Sequence, residues 1–262
     1  MKKLLTSAFA LTAFGLASAQ SNLDTSSQLG NSNNVTIMQV GSQNNNDLLQ
    51  NGNSNIANIN QKGTENYSSG ESDGDNNKIY VTQAGLTPAG NGLRNSSIIE
   101  QEGNGNIATV FQYGSEHNNN QDQDGMDNIA WNSATGSGNV NTQTQDGNDN
   151  NAKSTQSGEI NNSSQTQRGN GNVSIYSQEG NFNTATSIQS LYLGVGYGNR
   201  TEGTQDGDRN SIQQYQYGHS NTAKDTQVGD YNTVYLYQRG NGHNHTGIQT
   251  GNNNSMTISQ TN

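Results

Sequence analysis

Residues 50–61 read Gln50-Asn51-Gly52-Asn53-Ser54-Asn55-Ile56-Ala57-Asn58-Ile59-Asn60-Gln61, and the closing glutamine opens the next copy of the same pattern. The period is 11 residues, Gln-x-Gly-x-x-Asn-x-x-x-x-x. Nineteen glutamines lie on this ruler: Gln28, Gln39, Gln50, Gln61, Gln83, Gln101, Gln112, Gln123, Gln145, Gln156, Gln167, Gln178, Gln189, Gln205, Gln216, Gln227, Gln238, Gln249 and Gln260. The matching asparagines are Asn33, Asn44, Asn55, Asn66, Asn77, Asn95, Asn106, Asn128, Asn139, Asn150, Asn161, Asn172, Asn183, Asn199, Asn210, Asn221, Asn232 and Asn254, with Asn22 already in register ahead of the first glutamine. A short fixed period is the signature of a repeat architecture, in which function belongs to the array rather than to a pocket.

Each unit reads as a corner followed by a strand. Gln-x-Gly-x-x is the corner, because glycine tolerates the positive φ of a tight turn. From the asparagine to the next glutamine, side chains alternate between two faces. One face carries small or apolar residues between two amides, as in Asn33-Val35-Ile37-Gln39, Asn77-Ile79-Val81-Gln83 and Asn232-Val234-Leu236-Gln238. The other is polar with scattered aromatics, among them Tyr80, Phe111, Trp131, Tyr235 and Tyr237. A single unit cannot bury its inner face. Two units folded against each other make a 22-residue coil, and the inner alanines Ala57, Ala108, Ala130, Ala152 and Ala223 recur on alternate units, with Ala185 the exception. The expected fold is all-β: a two-sheet parallel β-solenoid of strand-corner-strand coils, cross-β and amyloid-like in character. Twenty units give ten coils, a rod about 50 Å long at roughly 4.8 Å per rung.

Departures from the ruler are few. Ser72 and Ala134 replace glutamine, and His117 and His243 replace asparagine. Insertions near residues 86–92, around Pro88, and near residues 190–196 read as bulged corners on opposite edges of the rod. The inner positions are apolar early (Val35, Ile37, Leu48, Ile59, Ile79, Val81, Ile99, Val110) and late (Ile212, Val234, Leu236, Met256, Ile258). Between them they are polar: Asn119, Gln121, Asn132, Asn141, Gln143, Ser154, Ser163 and Gln165. This predicts firm ends and a softer middle. Asp24 and Asp225 also fall on inner positions, where an unpaired charge is costly, so Asp225 is expected to be a weak point.

Only 27% of residues are hydrophobic and the formal net charge is -10. Such a chain cannot build a conventional core, but Asn- and Gln-rich sequences have another route, through amides stacked along a cross-β array. Residues 1–19 stand apart: Lys2-Lys3 form a basic start, Leu4 to Leu16 an apolar run, and Ala17-Ser18-Ala19 a cleavage site before Gln20. This is the pattern of a secretory signal peptide, with an apolar run too short for a transmembrane helix, and it leaves 20–262 as the solenoid. The acidic chain speaks against nucleic-acid binding. There is no cysteine, so no disulfide staples it, and the single proline lies outside the ruler, as hydrogen-bonded ladders require.

The fuller motif Gln-x-Gly-x-x-Asn-x-Ala-x-x-x-Gln, complete in Gln50–Gln61, Gln101–Gln112, Gln145–Gln156, Gln178–Gln189 and Gln216–Gln227, resembles the curlin repeat of curli-type bacterial amyloid subunits. The resemblance covers nearly all of the chain after the leader. It implies a β-solenoid subunit of an extracellular functional amyloid, exported through an outer-membrane pore and assembling into biofilm-matrix fibres at the cell surface, with itself, that secretion pore and a nucleator subunit as partners. This chain has many more units than the family type, its alternate strands begin with asparagine where that type usually has serine, and only Gln20 to Ser27 precede the first full unit. The last point predicts the lack of a distinct N-terminal recognition segment.

The glutamine and asparagine ladders are the expected structural and polymerising determinants. Asp73, Glu102, Asp124 and Asp146 follow the Gln position on successive rungs of one edge. They are candidate gatekeepers against premature assembly, a solvated edge, or a cation site, although no Gly-Gly-x-Gly-x-Asp nonapeptide supports calcium. His243 and His245 share a face with His219 elsewhere, and they read as stand-ins for asparagine rather than metal ligands. No Ser-His-Asp constellation or Gly-x-Ser-x-Gly elbow appears, so neither catalysis nor a cofactor is expected. The alternatives are a minor, nucleating subunit and a monomeric solenoid adhesin or ice-binding protein. Ice binding would need flat threonine ladders, whereas the outward positions Thr36, Tyr80, Trp131, Lys153 and Tyr235 vary.

Overall fold

A computed structural model describes residues 21–85, 92–190 and 196–262; the signal-peptide reading, Pro88 and the centres of both insertions lie outside these residues. The described residues form a β-solenoid without helix, built from two parallel sheets of twelve and eleven strands. Successive units alternate between the sheets. The first sheet runs from Leu23–Leu29 to Ser255–Thr261, the second from Asn34–Ser42 to Asn244–Thr250. Each strand pairs with the strand one 22-residue coil later, so Gln28 aligns with Gln50 and Gln39 with Gln61. The insertions lengthen a coil without shifting the register: Gln83 aligns with Gln112 and Gln189 with Gln216. Two short strands, Gly92–Leu93 and Gly196–Tyr197, resume the rungs that the insertions interrupt.

The corners hold two left-handed residues, one more than the motif suggests. At the first, Gly52 has φ +122°, and a Cβ there would run into the carbonyl oxygen of Gly74 on the next rung. The second comes two residues later and accepts side chains, including Ile160 at φ 56°. A β-branched residue in this region is disfavoured by sterics. The corner backbone compensates, because it is laddered too: Ile160 N–H donates to the Ser137 carbonyl at 2.9 Å.

Inner and outer positions alternate along every strand. Leu48, Ala57, Ile59, Ile79, Val81, Ile99, Ala108 and Val110 form one dry cluster, bordered by half-buried Val35 and Ile37. Tyr176, Ala185, Ile212 and Val234 form a second, bordered by Met256 and Ile258. Fully burying each branched aliphatic contributes about 1.5–3 kcal/mol, so these clusters anchor both ends of the rod. The segment between them buries amides and hydroxyls instead, and it carries a ladder of its own: Gln121 Nε2 donates to Gln143 Oε1, and Gln143 Nε2 to Gln165 Oε1, both at 2.7 Å.

Candidate functional site

The repeated amides do two different jobs. Where the next rung also carries a glutamine, the ladder glutamine donates forward to it: Gln39 to Gln61 at 2.8 Å, Gln61 to Gln83 at 3.0 Å, Gln145 to Gln167 at 2.9 Å, Gln238 to Gln260 at 2.7 Å. The same Nε2 also reaches across the core to a backbone carbonyl at the start of the opposite strand, Gln39 to Leu23 and Gln61 to Asn45. Glutamine therefore ties rung to rung and sheet to sheet. Asparagine instead clamps corners. Asn55 N–H donates to Asn33 Oδ1, and Asn55 Nδ2 donates to the Gly74 carbonyl of the next corner at 2.8 Å. Asn106, Asn128, Asn161, Asn183, Asn210 and Asn232 repeat this bond to the next glycine. Direct Asn–Asn amide contacts occur in part of the column, as between Asn66 and Asn44 at 2.9 Å. The asparagine column is thus a side-chain-to-backbone clamp, with amide stacking added along stretches such as Asn44–Asn66–Asn95 and Asn150–Asn172–Asn199.

The two missing glutamines break the ladder as its polarity dictates. Ser72 is too short to receive from Gln50, whose Nε2 has no partner, although its own hydroxyl still donates to Gln101 Oε1 at 3.2 Å. Ala134 precedes Gln156 and cannot donate, which leaves Gln156 Oε1 without a partner. At an asparagine position His117 fills the role atom for atom. Its Nδ1 accepts from Asn139 N–H at 3.2 Å, which places the ring proton on Nε2, 3.2 Å from the Tyr113 carbonyl. Burial holds its pKa below the usual histidine value, against the raising effect of the Tyr113 and Gly136 carbonyls. His243 occupies the equivalent site, with Nε2 3.1 Å from the Arg239 carbonyl.

His245 does something else. Its Nε2 lies 2.9 Å from Asp225 Oδ1, while Gln214 Nε2 donates to Asp225 Oδ2 at 2.7 Å. Asp225 is fully buried but paired from two sides, so the expected weak point is a satisfied network. The network continues to Tyr176, whose hydroxyl donates to Gln214 Oε1 at 2.7 Å, and burial pushes the Tyr176 pKa far up. Sequence reasoning passed over Tyr176. Its signal was an inner position two residues before Gln178, with Gly203 aligned on the next rung, where a Cβ would strike the Tyr176 ring. Gly247 leaves the same kind of room beside Asp225.

On the outer face of the first sheet, Asp73, Glu102, Asp124 and Asp146 align in one column that ends at Arg168. A second column two residues earlier, missed in the sequence, aligns Glu71, Glu100 and Asp122. Crowding by neighbouring side chains, and then the charges of Glu100, Asp124 and Asp146, push the Asp122 pKa above the usual carboxylate range. Among the described residues no group of acidic, histidine or cysteine side chains has the geometry to hold a metal ion. A short hydroxyl ladder follows on the same face, Thr142–Ser164–Thr186 beside Thr144–Thr166. Threonine aligns with threonine there only at Thr144 and Thr166, and the column ends at Asp122 on one side and Ile188 on the other, short of the flat threonine ladder that ice binding would need. The opposite sheet's outer face instead carries Phe111 tilted against Trp131 at 6.2 Å, with Lys153 Nζ 4.7 Å from the Trp131 ring.

Among the described residues no helix is long and apolar enough to cross a membrane. No curated protein is similar enough to this chain to match it. Residues 52–85 and 229–261 match the family model described as Curlin associated repeat, and they are laddered in the same way as the coils between them. Those two segments carry the curlin repeat.

Proposed function

We propose that this protein is the structural subunit of an extracellular curli-like amyloid fibre, exported to the cell surface of a bacterium to serve biofilm cohesion and adhesion. It grows by templated strand addition at the rod ends and performs no chemistry. The observation that carries the reading is the one-way ladder. Apart from the rungs of Ser72, Ala134, His117 and His243, each rung offers the next one the same set of bonds: backbone groups, a forward-donating glutamine amide, and an asparagine amide aimed at the next corner. Nothing in that set is specific to a position within one chain, so a second copy satisfies it as well as a further coil does. The terminal described rungs support this. The inner apolar side chains Val35, Ile37, Met256 and Ile258 are only half-buried there. The two curlin-repeat matches favour self-assembly, and an outer-membrane pore and a nucleator subunit are the further partners that the resemblance implies.

Within this reading the ladder amides are the polymerising determinants, and Asp73, Glu102, Asp124 and Asp146 are gatekeepers whose repulsion slows association. The test is assembly from denaturant of the chain lacking residues 1–19, followed by thioflavin fluorescence and electron microscopy. Fibres within hours to days are expected. A protein that stays monomeric over that period would contradict the proposal and leave the monomeric solenoid adhesin.

A further inference from the structure

We propose that a file of buried water molecules lies in the polar middle of the rod, bound between Asn132 and Ser154 of one sheet and Asn141 and Ser163 of the other. All four residues are buried. Asn132 Oδ1 and Nδ2, Asn141 Oδ1, Ser154 Oγ and Ser163 Oγ have no protein hydrogen-bond partner. Buried polar groups left this way carry their full desolvation penalty, and native proteins rarely leave them so.

The register places these side chains opposite one another. Asn132, Ser154 and Tyr176 form one inner column, and Asn141, Ser163 and Ala185 another. Tyr176 packs with Ala185 in a single cluster, so the two columns face each other across the core. Where Tyr176 stands, a large ring meets a methyl group and fills the gap. One and two rungs earlier, short side chains meet short side chains.

The amide ladder is interrupted at Asn132, and none of these four side chains is paired with another of the four. The column neighbours of Asn132 are Val110 and Ser154, so no amide ladder can form there. Turning the Asn132 amide over exchanges two atoms that both lack partners. The group offers donors (Asn132 Nδ2 and the serine hydroxyls) together with acceptors (Asn132 Oδ1 and Asn141 Oδ1). That mixture suits water, which gives and receives, and not a cation, which would face the Nδ2 donor with no carboxylate to balance it.

Water-edited solid-state NMR on the folded, isotope-labelled chain tests this directly, whether the protein is monomeric or fibrous. Transfer from water should reach the side chains of Asn132, Asn141, Ser154 and Ser163 several-fold faster than those of Ile59 and Val81, which are equally buried. Asn132→Val, which extends the Val81–Val110 column, should abolish the fast transfer at Ser154. Equally slow transfer at all six wild-type side chains would overturn the proposal, and that comparison does not depend on the variant folding.

Discussion

Gln50 and Gln156 show what one ladder position contributes. Each has a single amide atom without a partner, because the neighbouring rung carries Ser72 or Ala134 in place of glutamine. Ser72→Gln and Ala134→Gln restore the missing donor or acceptor. Each should stabilise the rod by about 1 kcal/mol, the net worth of a typical hydrogen bond, read as a higher denaturation midpoint in urea. His117 gives a pH signature. Its folded pKa is depressed by burial, so its contribution is complete above the free-histidine value of about 6.5 and is lost as pH falls from there through the folded value. Protonation would also remove the Nδ1 acceptor that holds Asn139 N–H. His117→Asn should therefore leave stability nearly unchanged at neutral pH and make the protein more resistant to acid. An equal loss of stability on acidification in both proteins would contradict the assigned tautomer. The identities of these positions were legible in the sequence, but the direction of their bonds was not. Period and spacing place an amide on a rung without saying that glutamine donates forward while asparagine turns to the backbone.

At the scale of strands and columns, the buried network joins four elements: Tyr176 in Val173–Glu179, Gln214 in Ser211–His219, Asp225 in Thr222–Val228 and His245 in Asn244–Thr250. His245→Ala strands the buried carboxylate and should cost about 3–5 kcal/mol, while Asp225→Asn keeps a partner for Gln214 and should cost clearly less. Equal losses in thermal melts would mean that the pair acts by packing alone. In the acidic columns the sign is opposite to that of His117. Asp122 is harder to ionise in the fold than in a free chain, so its repulsion is fully present above its raised pKa and disappears as pH falls below the free-carboxyl value near 3.8. Asp122→Asn should be the more stable protein at pH 7, and the difference should vanish below about pH 3.8. The sequence reading of an inner Asp225 saw a lone charge because the partner lies 20 residues away on the next coil, and linear inspection did not align the two. It found one acidic column and missed its neighbour for a related reason: Glu71, Glu100 and Asp122 line up only once the coils are stacked in register.

For the molecule as a whole, the 11-residue period, the period-2 faces and the alternation of inner alanine were enough to reach two parallel sheets and a 22-residue coil. Those signals are carried by backbone geometry, which every unit shares. Less legible were the size compensations between rungs, such as Gly203 beneath Tyr176, because they depend on which residues of different coils come to lie together. A ladder that runs the length of the rod makes the ends different from the middle. Gln249→Ala with Gln260→Ala removes forward contacts at an edge and should slow assembly more than Gln143→Ala with Gln165→Ala. Equal lag and growth rates would remove the ends as the site of growth. The central claim is that folded rods stack end to end and that chains do not lie flat in register, one per rung. Mass per unit length of single filaments separates the two. The account requires one 27.9 kDa chain or less, depending on leader removal, per roughly 50 Å of filament. One chain per roughly 4.8 Å, about tenfold denser, would contradict it.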